Sequence, residues 1–206
     1  MTLLICPVYL PNIQYFAWVF RQEKVYFSGR TKYQKQSYRN RTEIYGANGK
    51  LKLTIPIRHM KNGVKPLDKD VLIAYDTDWQ KHHWKSICSA YRSSPYFEYY
   101  ENDLISFYQK KTLSLFDYNL DIIGKLMQLI EQPFSYEILP SIEKEQKRMN
   151  ALISTKIKLK SKFEYYTQVF DNKHGFLPNL SILDVLFNLG PNTVSYLNKT
   201  TLGELT

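Results

Sequence analysis

Five polar side chains fall within seven residues of this chain: Lys35, Gln36, Arg39, Asn40 and Arg41. Three cations and two amides so close repel one another unless something anionic or rich in acceptors sits among them. Residues 35–56 read as strand, turn and strand. Ala47-Asn48-Gly49 supplies the turn, since Asn and Gly tolerate positive φ. Leu51, Leu53 and Ile55 then alternate with Lys50, Lys52 and Thr54, the period of a half-buried strand. On the first strand Arg39 and Arg41 would share a face and Asn40 would take the other. Two guanidinium forks on one face suit bidentate binding of phosphate or carboxylate. The bland alternative is a pair of arginines salt-bridged to acids elsewhere.

Other chemistry is sparser. His83 is the histidine placed for acid-base work, on the flank of an apolar helix face where neighbours can tune its pKa. His82 points nearly opposite, because adjacent helical residues diverge by about 100°, so the pair is a poor metal site. His59 and His174 stand alone, and no metal is expected. The chain has no G-x-x-x-x-G-K-[ST], no G-x-G-x-x-G and no G-x-S-x-G, so no motif names a cofactor. Asp76-x-Asp78 could hold a divalent ion, but helix capping explains it more simply.

The elements that must position these groups read as a mixed α/β fold. A small mixed sheet occupies the N-terminal half with helices packed on it, and the C-terminal half is mainly helical. Leu3–Tyr9 is a continuous apolar run, a buried first strand. Asn12–Phe20 follows as a helix whose N-terminus would face the space beyond the carboxyl end of that strand, where α/β proteins often bind anions. Lys24–Ser28 is a second strand and Asp70–Tyr75 a further short one. Trp84, Ile87, Cys88 and Tyr91 form the inward face of a helix from Trp79 to about Arg92. An aromatic helix runs from Tyr96 to Tyr108, and a near-all-round apolar one from Asp117 to Gln132. Ser141–Ala151 reads as loop or exposed helix. Thr155–Phe163 alternates as a Lys-lined edge strand. Ser181-x-x-Asp184 opens a helix that Gly190-Pro191 ends, and Thr193–Asn198 adds a short one.

The 206 residues fit one domain, 1–206, with a helical subregion from about 117 to 206. Apolar residues make up 44%, enough to build a core and to exclude disorder. No window approaches a membrane span, and the first residues lack the form of a signal peptide. Two distant cysteines in apolar contexts fit a reduced compartment, so the expected location is cytoplasmic. The net charge of +9 is local: residues 21–65 hold twelve cations and two acids, the remainder sixteen and seventeen. Such a field concentrates phosphate-bearing ligands, nucleic acid or an anionic membrane face.

An ordered series of short motifs resembles the WbqC-like family. It runs from Pro7-x-Tyr9-Leu10-Pro11 through Lys35-Gln-x-Tyr-Arg-Asn-Arg41, Gly49 and Leu53-Thr-Ile-Pro56. It continues in His83-Trp84, Ala90-Tyr91 and Ser94-Pro95-Tyr96-Phe97, and ends in Leu180-Ser-Ile-Leu-Asp184. Typical members read Gln-Pro at the opening and Pro-Trp after Tyr-Leu, where this chain has Cys6-Pro7 and Pro11-Asn12. The family name comes from surface-polysaccharide gene clusters. The resemblance implies a transferase acting on an activated, phosphate-bearing donor in polysaccharide or glycoconjugate biosynthesis. Arg39, Arg41 and Lys35 would hold the anion, and Asn40 and Gln36 would orient polar groups. Tyr9 and Tyr91 would line the cleft, and His83 would move the proton. The competing expectation is a non-catalytic nucleic-acid binder using the basic segment 21–65, with Tyr15, Tyr26, Tyr33, Tyr38 and Tyr45 stacking on bases.

Overall fold

In the computed structural model, residues 2–58, 65–140, 146–157 and 159–204 are described. His59 and Lys158 lie outside them. The apolar run at the start forms β1 (Thr2–Ile5), and the chain then turns at Pro7 and Pro11 into α1 (Ile13–Phe20) and returns as β2 (Val25–Ser28) beside β1. The two strands are parallel, with Leu4 opposite Tyr26, so this is a strand-helix-strand crossover. The hairpin follows as β3 (Arg41–Gly46) and β4 (Gly49–Thr54), antiparallel with Ile44 opposite Leu51. Gly49 turns at φ 93°, open to glycine and costly for other residues.

The helices then come in series. They are α2 (Trp79–Tyr91), α3 (Phe97–Gln109) and α4 (Leu115–Leu129). Two further strands, β5 (Tyr136–Leu139) and β6 (Gln146–Arg148), and two short helices, α5 (Asn150–Ile153) and α6 (Asp171–His174), lead to α7 (Ile182–Leu189) and α8 (Thr193–Lys199). The larger sheet runs β5-β2-β1-β6, every pair parallel, and the hairpin forms the second sheet.

Two cores share their walls. Val25 and Phe27 pack with Phe116, Leu120 and Ile123 of α4 and with Tyr15, Trp18 and Val19 of α1. Tyr118, Ile122 and Leu126 of α4 and Ile13, Phe16 and Ala17 of α1 face a larger, helix-rich core with α2, α3 and α7. Helices with a core on each side explain why both segments are apolar almost all round. Each fully buried large side chain contributes about 1.5–3 kcal/mol.

Several elements differ from expectation. Lys35–Asn40 is not strand: β3 begins only at Arg41, and Gln36 takes a positive φ of 58°. Asp70 ends a 3-10 turn (Asp68–Asp70) and is not strand, and Val71–Tyr75 pairs only through single bridges at Leu72 and Ile73 among the described residues. Thr155–Phe163 forms no strand among the described residues; a bridge from Lys162 to Thr201 ties it down instead. Asp78 precedes α2 without a side-chain capping bond. β6 occupies part of the stretch expected as loop or helix, because its backbone completes the open side of β1.

Candidate functional site

The carboxyl ends of β1 and β2 carry a buried polar cluster. Cys6 follows β1, Ser28 ends β2, and Thr31 and Asp68 close over them. The Cys6 thiol lies 2.9 Å from Asp68 Oδ2, 3.0 Å from Thr31 Oγ1 and 3.3 Å from the Ser28 carbonyl. Burial, then the Asp68 carboxylate, push its pKa up to about 12, against the pull of Arg39. It is therefore a thiol, not a nucleophilic thiolate. The Arg39 guanidinium completes the cluster, with Nη2 donating to Asp68 Oδ2 at 3.2 Å. Its Nε lies 2.8 Å from Oδ1, attracted by charge although the N–H is not aligned with that oxygen. Both side chains are buried, at 5% and 3% exposure. Asn119 of α4 donates to the Arg39 and Pro7 carbonyls from below.

The two arginines are thus split. Arg39 is committed to Asp68, while Arg41 opens β3 half-buried and makes no ion pair among the described residues. Its Nε is buried with no hydrogen-bond partner among the described residues. Asn40 is structural, donating to the Ile55 carbonyl as Ile55 N–H donates back to the Asn40 carbonyl. Lys35 and Gln36 are exposed on the loop above.

That loop belongs to a rim of three segments. Thr155 Oγ1 donates to the Gln36 carbonyl, and Ser37 bridges Ser154. Asp68 N–H donates to the Thr31 carbonyl, Lys69 N–H to Gly29, and Lys32 bridges Leu67. Arg30, Lys32, Lys35, Lys69 and Lys156 are exposed on these segments and have no carboxylate partner among the described residues. The N-terminus of α1, by contrast, is filled by protein. The Ile13 N–H donates to the Leu180 carbonyl, Gln14 N–H to Asn179 Oδ1, and Tyr15 N–H to Asn12 Oδ1.

The remaining expected site residues lie in the helix-rich core. Tyr9 Oη sits 3.0 Å from His83 Nδ1 and 3.0 Å from Tyr108 Oη. His83 is 6% exposed, between Tyr9 and Trp79. Burial lowers its pKa to about 4, against a raising hydrogen bond to the Thr54 backbone, so the ring is neutral at pH 7. Tyr91 Oη accepts from Tyr45 N–H and lies beside Asp184. Asp184 is fully buried, taking hydrogen bonds from Tyr166 Oη at 2.6 Å and Gln168 Nε2 at 2.7 Å, and burial raises its pKa. The structure therefore brings together Lys35, Gln36, Arg39 and Arg41 around one loop. It places Tyr9 with His83 in one buried network and Tyr91 in another.

Sequence reasoning missed Asp68, which lies three residues past the basic segment. Its own flanks gave no signal that it, and not Asp70 two residues on, would pair with Arg39. Two cavities, one lined by Cys6, Arg39, Asp68 and Asn119 and one lined by Leu10, Trp84, Leu104 and Tyr108, are each about 10 Å³, room for one water. Tyr15, Tyr33 and Tyr45 are buried, at 0%, 4% and 0% exposure, and cannot stack on bases.

The chain belongs to the WbqC-like protein family, whose model matches residues 6–163. It is 25% identical, over 92% of its length and 94% of the relative's, to the uncharacterized protein Rv1507c of Mycobacterium tuberculosis. No solved structure matches. No helix among the described residues is long and apolar enough to cross a membrane.

Proposed function

We propose that this WbqC-like protein binds a phosphate-bearing ligand at Arg41 beneath the basic rim, and uses it as the activated donor of a transfer reaction in polysaccharide or glycoconjugate biosynthesis. The observation that carries the binding is the contrast between the two arginines. A guanidinium nitrogen buried without an acceptor is costly, and an anionic ligand relieves that cost. Arg39 has its anion already, in Asp68. Under this reading Lys35 and Gln36 meet the ligand from the loop. Arg39 and Asn40 hold that loop in place. His83, neutral and enclosed, serves the fold through Tyr9. The transfer step and its sugar context rest on the family alone.

The test is thermal melting of wild type, Arg41→Gln and Lys35→Gln against nucleotides, nucleotide-sugars and short single-stranded RNA, each at low and moderate salt. A ligand at about a hundred times its Kd adds about 2.7 kcal/mol to the native state. That raises Tm by roughly 5–11 °C for a domain of this size. The expected result is a salt-tolerant rise with one small phosphate ligand, lost in Arg41→Gln. A rise with RNA alone that fades steeply with salt would replace this reading with a nucleic-acid surface.

A further inference from the structure

The basic rim has a packed underside and a charged outer side. Its middle run, residues 29–38, is laced to a neighbour on each flank. On one flank Lys32 bridges Leu67, Tyr33 N–H donates to the Pro66 carbonyl at 2.8 Å, and Lys69 N–H donates to the Gly29 carbonyl at 3.1 Å. A Cβ at Gly29 would stand 3.0 Å from that of Lys69, so glycine lets the lysine stem lie close beside Arg30. On the other flank Ser37 bridges Ser154, Tyr38 N–H donates to the Ile153 carbonyl at 2.9 Å, and Thr155 Oγ1 donates to the Gln36 carbonyl at 2.6 Å. Thr31, Tyr33 and Ser37 are buried beneath. Thr31 meets the Cys6 thiol, Arg39 Nη1 lies 3.4 Å from Ser37 Oγ, and Tyr33 lines the cavity beside Arg39 and Asp68. Outward stand Arg30, Lys32 and Lys35 of the middle run, and Lys65, Lys69 and Lys156 of the flanks. The three segments hold two acids among the described residues. Asp68 faces inward, committed to Arg39, and Asp70 is exposed. None of the six outward cations makes an ion pair among the described residues. The rim also presents an apolar side chain. Ile157 is 49% exposed, and its N–H and that of Lys156 both donate to Ser154 Oγ, which fixes the turn that carries them.

We propose that the rim is a docking surface for an anionic lipid bilayer, with its six cations over the headgroups and Ile157 in the interfacial layer. The proposal goes beyond the ligand reading above and stands without it. Five of the six outward cations are lysines, compact point charges that suit a diffuse layer of negative charge. The arginine forks that suit a fixed phosphate are withdrawn from this surface, Arg39 buried and Arg41 half-buried. Single-stranded nucleic acid needs rings to stack on. The tyrosines of these segments are Tyr33, at 4% exposure, and Tyr38, half-buried. An isoleucine exposed among lysines is unfavourable in water and favourable at a lipid boundary. Each cation held near an anionic leaflet strengthens binding about fivefold, so six weak attractions together give a firm one. Docked in this way, the carboxyl ends of β1 and β2 face the bilayer.

The probe is co-sedimentation of the full chain with vesicles of phosphatidylcholine alone, and of phosphatidylcholine mixed with phosphatidylglycerol, at low and moderate salt. Binding is expected to the anionic vesicles only, and to weaken as salt rises. Lys32→Glu/Lys156→Glu reverses two exposed charges, so melting should stay near wild type while vesicle affinity falls about twentyfold or more. Lys81→Glu/Lys85→Glu makes the same change of net charge at exposed positions of α2 and should weaken binding far less. Ile157→Ser should weaken it several-fold with the same salt dependence. Arg41→Gln should bind vesicles nearly as wild type does, so loss of a small phosphate ligand and loss of lipid are read separately. No binding to anionic vesicles, or equal binding to both kinds, would overturn the docking surface. Equal weakening by the α2 pair would also overturn it, since net charge and not the rim would then be the cause. Short single-stranded RNA that binds through Lys32 and Lys156 while vesicles do not would reassign the rim to nucleic acid. Unchanged binding in Ile157→Ser would overturn the insertion.

Discussion

The split between the two arginines yields a crossed prediction. Removing Arg39 leaves Asp68 with 3% of its side chain exposed and no counter-charge. The hydrogen bond from Nη2 at 3.2 Å is lost with it, and the Cys6 thiol at 2.9 Å becomes the nearest remaining donor to that carboxylate. Breaking a buried pair from one side costs about 3–5 kcal/mol, because the stranded charge stays desolvated. For a chain of this length that lowers Tm by roughly 6–20 °C. Arg39→Met should show that loss, and Asp68→Leu, which strands the guanidinium instead, a comparable one. The double variant Arg39→Met/Asp68→Leu should regain most of it, since an apolar pair of similar volume restores packing without a charge to strand. Arg41→Gln should cost less than 1 kcal/mol, as it removes no partnered bond. The assay is urea unfolding of all four variants by circular dichroism, analysed as a double-mutant cycle, with phosphate binding measured in parallel. The reasoning fails if Arg39→Met costs under 1 kcal/mol, if its effect adds independently to that of Asp68, or if Arg41→Gln proves the more destabilising change.

Two further outcomes follow from the buried networks. His83 has its folded pKa lowered to about 4 from an unfolded 6.5, so the unfolded chain binds the extra proton first as pH falls. Stability should be complete above pH 6.5 and decline by about 3 kcal/mol on the way down to pH 4; His83→Gln should flatten that part of a plot of unfolding free energy against pH. Asp184→Ala strands the Tyr166 hydroxyl and the Gln168 amide in the core. A loss of about 2–5 kcal/mol is expected, and limited proteolysis should cut faster between residues 163 and 180. Cutting at the wild-type rate would contradict the anchoring role given to this carboxylate.

Much of the helical framework was legible because its signals are local. Residues 79–91, 97–109 and 115–129 show apolar positions at helical spacing, and Ser181 announces α7 by its own hydroxyl. The site was harder to read for a physical reason. Alternation predicts a shared face only on a strand, and the chain leaves strand geometry between Lys35 and Asn40, where Gln36 turns at φ 58°. The two arginines then point to different neighbours. Asp68 and Asp184 were invisible as partners because burial of a carboxylate is decided by what folds over it, not by its own flanks. The Lys-rich alternation at 156–162 misled in the opposite sense. It has strand period, yet the described residues pair only at Lys162, so the pattern reflects solvation of a surface segment.

The parallel sheet also sets an order of events during synthesis. β1 and β2 find each other early, separated by a single helix. The outer neighbours that cover both flanks, β5 at Tyr136–Leu139 and β6 at Gln146–Arg148, are made more than a hundred residues later. At ribosomal rates of about 5–20 residues per second, the central pair waits roughly five to twenty-five seconds with both edges open. Bare parallel strands rich in Leu, Val and Phe are templates for wrong pairing. The nascent N-terminal half is therefore the vulnerable species. Slow translation between the codons of β2 and β5 should lower the yield of native protein without changing the stability of the finished chain.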